Sequence, residues 1–148
     1  MKFLEADLIP ASINQRAKLL YLMKILLEKT DEHNPMTIVE IIAELDVYEI
    51  KTERKSIYTD FELLRQFGLN IETTRDKTTR YYIAHRQFEL PELKLLVDAV
   101  QSSRFITEKR SGQLITKLSS LTSAAQAKQL QRQVYVAGRA KTMNETVY

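Results

Sequence analysis

The residues of this 148-residue chain best suited to grip a polyanion fall in two short runs. The first is RKSIYTDFELL, beginning at Arg54. At about 100° per residue on a helix, Ile57, Phe61 and Leu64 point to one side, Lys55, Thr59 and Gln66 to the opposite pole, and Ser56 and Tyr58 to the flanks. Arg54, Lys55, Ser56, Tyr58 and Thr59 therefore put hydrogen-bond donors at the N-terminal end of a helix, the end that in a helix-turn-helix protein meets phosphates and base edges in the major groove. The second run holds Arg75, Lys77 and Arg80 at or near the tip of a polar hairpin, placed to lie along the DNA backbone or dip into the minor groove. Thr37, at the start of another helix, can offer a hydroxyl and a backbone N–H to a phosphate as a weak contact, although capping alone accounts for it. Plainer readings stand beside these: a solvated helix face, and an exposed turn protected by charge.

Little in the chain suggests other chemistry. Cysteine is absent, which removes disulfides, thiolate nucleophiles and cysteine zinc sites together and fits a reducing compartment. His33 and His85 are the two imidazoles, in no metal-binding spacing, and read as surface residues. Gly68, Gly112 and Gly138 form no phosphate-cradling loop. Asp60 and Glu62 lie on a helix rich in bases, where local ion pairing explains them. Asn144-Glu145-Thr146 fits the glycosylation sequon by chance if the chain is not secreted. The expectation is a protein without catalysis, cofactor or metal.

The elements that must position the donors are legible from breakers and periodicity. With 44% hydrophobic and 28% charged residues and only 3 Gly and 3 Pro, the composition predicts a folded, mainly helical protein. The first ten residues show no secretory signal, and the Leu19–Leu27 stretch is too short to span a membrane, so a cytoplasmic location with no membrane partner is expected. Leu19, Leu22, Met23 and Leu26 mark a first helix over about 15–28, with Ser12 or Asn14 available as its cap. Thr37 and Glu40 form a capping-box pattern ahead of Ile38, Ile41, Ile42 and Leu45, predicting a second helix over 38–45. A third, over 53–67, has Thr52 to cap it and Gly68 at the position of a left-handed C-terminal residue. The period then drops to two in LNIET and TRYYI, a hairpin turning at Arg75-Asp76-Lys77, with one of Tyr81 and Tyr82 packing inward. Three helices and a hairpin are the order of a winged helix, here residues 12–86, so the fold class expected is mainly α with a small β-hairpin, followed by a helical extension.

Residues 87–131 make that extension. Leu93, Leu96, Val97 and Val100 line a helix that Pro91 opens; Leu114, Ile115, Leu118 and Leu121 line another capped by Thr107; SAAQAKQLQ adds a weak third. Leu93, Leu96, Val97, Val100 and Leu118 either pack on one another or form a two-fold homodimer interface that would space two recognition helices along one face of double-stranded DNA. Residues 132–148 alternate like a strand. Charge is uneven: residues 1–86 hold 13 Lys and Arg against 14 Asp and Glu, net −1, and residues 87–148 hold 9 against 5, net +4.

RKSIYTDFELL, the hairpin ending in RYYI, ELPELKLLVDAVQSSRFIT and RQVYVAGRAKTMNE together resemble the bacterial WYL-domain transcriptional regulators over nearly the whole chain. The resemblance implies a DeoR-like winged helix, a helical linker, and an opening strand at Gln133–Ala137 of a WYL module whose remainder is not in this sequence. Two positions depart from the family pattern: Thr59 stands where a second Arg is common in the recognition helix, and Arg80 where Gly often precedes the paired tyrosines. The function so implied is sequence-specific DNA binding in transcription regulation. The alternative is a winged helix that serves as a protein-interaction or dimerisation module without DNA binding, which the near-neutral first half keeps open.

Overall fold

The computed structural model describes residues 11–134, and the side chains of residues 15–132. The protein is mainly α-helical with one small antiparallel sheet, and its contacts divide it into two compact units, one ending at Ala84 and one beginning at His85. In the first, α1 (Ala11–Lys29), α2 (Ile38–Val47) and α3 (Arg54–Phe67) surround a core of Leu22, Ile25, Leu26, Ile41, Leu45, Ile57, Phe61 and Leu64. The core consists of the apolar stripes expected from a 3.6-residue period. Ser12 and Asn14 lie inside the first turn of α1 rather than before it, so neither occupies the capping position the sequence offered.

Thr37 closes a full capping box. Its hydroxyl accepts from the Glu40 backbone N–H while the Glu40 carboxylate accepts from the Thr37 backbone N–H at 2.7 Å and from its hydroxyl at 2.9 Å. The same residue ends a two-residue strand, β1 (Met36–Thr37), too short to show a period and absent from the sequence reading. It pairs antiparallel with β3 (Thr79–Ile83), which pairs in turn with β2 (Ile71–Arg75), giving the order β1-β3-β2. Thr30 ties sheet to helix: its hydroxyl donates to the Leu26 carbonyl at 2.7 Å and accepts from the Ile83 N–H at 3.0 Å. Asp31 closes the turn that follows by accepting from the His33 and Asn34 N–H groups. Gly68 ends α3 at φ 116, the left-handed conformation that glycine adopts without steric cost.

The second unit packs α4 (Leu90–Ser102), α5 (Glu108–Ser119) and α6 (Ala124–Val134) in mutual contact around Leu93, Val97, Ile115 and Leu130. Leu93 and Val97 are 0% exposed within the single chain. This corrects the interface reading for them: a side chain sealed inside its own fold has no surface left for a second copy. Leu96, Val100 and Leu118 are half-buried against the same cluster. The buried stripe of α5 is Ser111, Ile115 and Ser119, whose small hydroxyls allow close helix approach, whereas Leu121 falls beyond the helix and is exposed. Gln133 and Val134 are helical, not the start of a strand; the rest of the strand-like tail lies outside the described residues. Among the described residues no helix is long and apolar enough to cross a membrane.

Two outcomes follow from these contacts. Thr37→Ala lowers the stability of the first unit by about 1 kcal/mol in urea titration, the usual cost of a lost cap. Glu40 is held below the ordinary glutamate range by the backbone and then the hydroxyl hydrogen bonds of Thr37, helped by the nearby Arg80 charge. Its stabilisation is therefore complete above the pKa of a free glutamate and is lost as pH falls below it. Glu40→Gln flattens that acid segment of the stability–pH curve. Second, Leu96→Asp with Val100→Asp lowers the melting temperature of the helical unit and its helicity, rather than dissociating an otherwise intact assembly.

Candidate nucleic-acid interface

The orientation of α3 is set by burial on one side and by a charge pair on the flank. Ile57, Phe61 and Leu64 enter the core as expected, and Asp60 is buried beside them. Lys18 of α1 meets it: Nζ lies 2.8 Å from Asp60 Oδ2, with both side chains largely shielded from water, and also donates to Ser56 Oγ. Asp60 thus pairs across helices and not locally, which corrects the sequence reading. Glu62 does pair locally, with Arg65. The signal was present but unread: Lys18 stands four residues before core Leu22, and Asp60 four before core Leu64, so opposite charges ride the apolar stripes of two helices.

With that flank fixed, Arg54, Lys55, Tyr58 and Thr59 are exposed and Ser56, spent on Lys18, is half-buried. Neither Thr52 nor Glu53 caps the helix: Glu53 occupies the N-cap without a side-chain hydrogen bond, and the Thr52 hydroxyl is buried without a partner. The N-cap side chain leaves the first-turn N–H groups of α3 unclaimed, and these groups form the positive end of the helix dipole beside Arg54 and Lys55. Tyr58 is 42% exposed and its ring lies 6.4 Å from that of Tyr81, which in turn packs 4.8 Å from Phe61. Burial, then the hydrogen bond to Tyr58, push the Tyr81 phenol up, against the charges of Arg65 and Arg54. Tyr58 therefore joins α3 to the sheet as well as facing outward. Arg65 adds a second tie, donating from Nε and Nη2 to the Ile71 carbonyl.

The outer half of the hairpin stands clear of the core. After buried Ile71, residues Glu72 to Thr78 are all exposed, whereas a strand packed on a core alternates. Arg75 and Lys77 sit at its far end as expected, opposite Thr79 and in the turn. Arg80 does not belong to that tip. It pairs with Thr74 on one side and Thr37 on the other, and its guanidinium donates to the Pro35 carbonyl, near enough to Glu40 for its charge to favour the carboxylate. The structure thus separates the wing residues and brings Arg80 to Thr37. The Thr37 hydroxyl is already committed to the capping box, so its backbone and side chain act in the fold. His33 and His85 are exposed, and no group of described His, Asp or Glu residues could hold a metal ion.

No model of a known protein family, no curated protein and no solved structure matches this chain.

Removing one member of the Lys18–Asp60 pair leaves the other shielded and unpaired. Asp60→Ala is expected to cost about 3 kcal/mol in the first unit, and Lys18→Met with Asp60→Leu distinctly less, because the apolar pair carries no desolvation penalty. A double-mutant cycle by urea denaturation measures the difference.

Proposed function

We propose that this chain is the DNA-binding portion of a bacterial cytoplasmic transcription regulator, reading duplex DNA with α3 and steadying itself with the β2–β3 hairpin, without catalysis or a cofactor. One observation carries the reading: an uncapped helix N-terminus ringed by exposed Arg54, Lys55 and Thr59, next to a hairpin whose outer half projects from the core with Arg75 and Lys77 at its end. A helix so presented fits the major groove, and a projecting basic hairpin fits the flanking backbone. The resemblance to WYL-domain regulators supports the same reading. Arg80, whose guanidinium donates to the Pro35 carbonyl, is at most a secondary contact.

A second reading has its own observation. Leu63 and Phe67, one turn apart at the C-terminal end of α3, are 48% and 76% exposed, and the first unit has no excess of positive charge, as a protein-interaction module would allow. Salt separates the two. DNA binding weakens with a log–log slope near −0.9 per neutralised phosphate, whereas an apolar protein contact hardly responds.

Selection from a random duplex pool identifies the preferred site. Lys55→Ala with Thr59→Ala should then abolish the preference while shifting the melting temperature by no more than a few degrees, since both side chains are exposed. Tyr58 is left intact in that test because it also packs on Tyr81. Arg75→Ala with Lys77→Ala should weaken binding to all duplexes alike and reduce the salt slope by up to about two. An intact preference in the first variant, or no binding of any duplex by the wild-type chain, would sink the reading.

A further inference from the structure

The charge of the second unit is sorted by helix. α4 carries Glu92 and Asp98 against Lys94, whereas α5 and α6 together carry Lys109, Arg110, Lys117, Lys128 and Arg132 against Glu108 alone. All five cations are exposed. On α5 the buried positions are Ser111, Ile115 and Ser119, and Lys109, Gln113 and Lys117 cluster about the opposite pole. On α6 Leu130 is fully buried, and Lys128 and Arg132, one turn apart, face away from it.

Local helix energetics do not account for this arrangement. Lys117 and Arg132 stand in last turns, where the helix dipole favours cations, but Lys109 and Arg110 stand in the first turn of α5, where it disfavours them. Among the described residues no ion pair engages Lys109, Lys117, Lys128 or Arg132. Lys128 and Arg132, like charges one turn apart on α6, destabilise the isolated unit slightly, and a polyanion relieves them.

We propose that the α5–α6 sector of the second unit is a DNA-backbone-binding surface, which adds non-specific phosphate contacts to those of the first unit. The inference rests on the DNA-binding reading and deepens it by moving most of the electrostatic affinity out of the winged helix. Gln113, Gln129 and Gln131, exposed among the cations, supply neutral donors of the kind that also meet phosphate and sugar oxygens. With its mixed charges, α4 offers no comparable surface.

The test uses the full chain with two duplexes, the site selected by the wild-type protein and a random sequence of equal length. Lys109→Gln, Lys117→Gln, Lys128→Gln and Arg132→Gln are combined, and anisotropy titrations are run across salt concentrations with circular dichroism as the check on folding. The expected result is an affinity loss of at least about tenfold on both duplexes, a salt slope shallower by up to about 3.6, and an unchanged ratio between the duplexes. The half-variants, Lys109→Gln with Lys117→Gln and Lys128→Gln with Arg132→Gln, should each make the slope shallower by up to about 1.8, and they keep the test decisive if the fourfold variant fails to fold. Folded variants with an unchanged slope overturn the proposal, and they leave the DNA-binding reading intact if the Lys55 and Thr59 variant still loses its site preference. A change from dimer to monomer in sedimentation with the slope unchanged overturns it as well, since the sector would then face the acids of α4 in a second copy. Failure of the wild-type chain to bind either duplex defeats both readings together.

Discussion

A cation and an anion withdrawn from water on two different helices can satisfy each other in very few arrangements, and the Lys18–Asp60 contact uses that restriction to fix how α1 and α3 are rotated against each other. Apolar packing of Ile57, Phe61 and Leu64 alone tolerates some roll of α3 about its axis, because hydrophobic contacts have no direction. A shielded charge pair adds a requirement that Lys18 Nζ stay close to Asp60 Oδ2, here 2.8 Å away. Lys18 also holds Ser56, so the tie falls on the first turn of the helix, where the exposed donors stand. The contact contributes less to net stability than to choosing which residues are left outside, since desolvation offsets much of its attraction.

Attachment of the hairpin follows the same economy. Tyr81 meets Phe61 and Tyr58, Arg65 reaches the Ile71 carbonyl, and Thr37 closes the capping box of α2 while pairing with Arg80. The helix that presents donors and the hairpin that stands beside it are thus one mechanical piece at their base, and the hairpin is free only in its outer half. Glu40, drawn to the Thr37 backbone and hydroxyl and to Arg80, links the acid stability of that base to a single carboxylate.

Sequence periodicity made the helices, the hairpin, the capping box and Gly68 legible, because each depends on neighbours within a few positions. The features that escaped depend on distant ones. β1 is two residues long and exists only because β3 lies beside it. Asp60 looked local because its partner is 42 positions away in the chain. Ile50, in the short connector between α2 and α3, is fully buried as the chain turns back after α2. Leu93 and Val97 carried a correct apolar stripe with an ambiguous destination, and no pattern within one helix can tell a neighbour in the same chain from one in another. For the candidate interface, residue types were readable whereas commitments were not: Ser56, Thr37 and Arg80 are partly spent inside the fold.

The sheet, finally, is guarded against growth at both margins. β1 covers only Arg80 and Tyr81 of β3, so the next amides would stand open for a foreign strand. Ala84 directs its N–H to Asn70 on the β2 side, so the Ile83 N–H, one residue earlier, points the other way, and there the Thr30 hydroxyl takes it. Along the far margin β2 ends in Glu72, Thr73, Thr74 and Arg75, short, polar and exposed on both faces. A hairpin whose outer half projects bare into solution is thereby kept from templating ribbons with copies of itself.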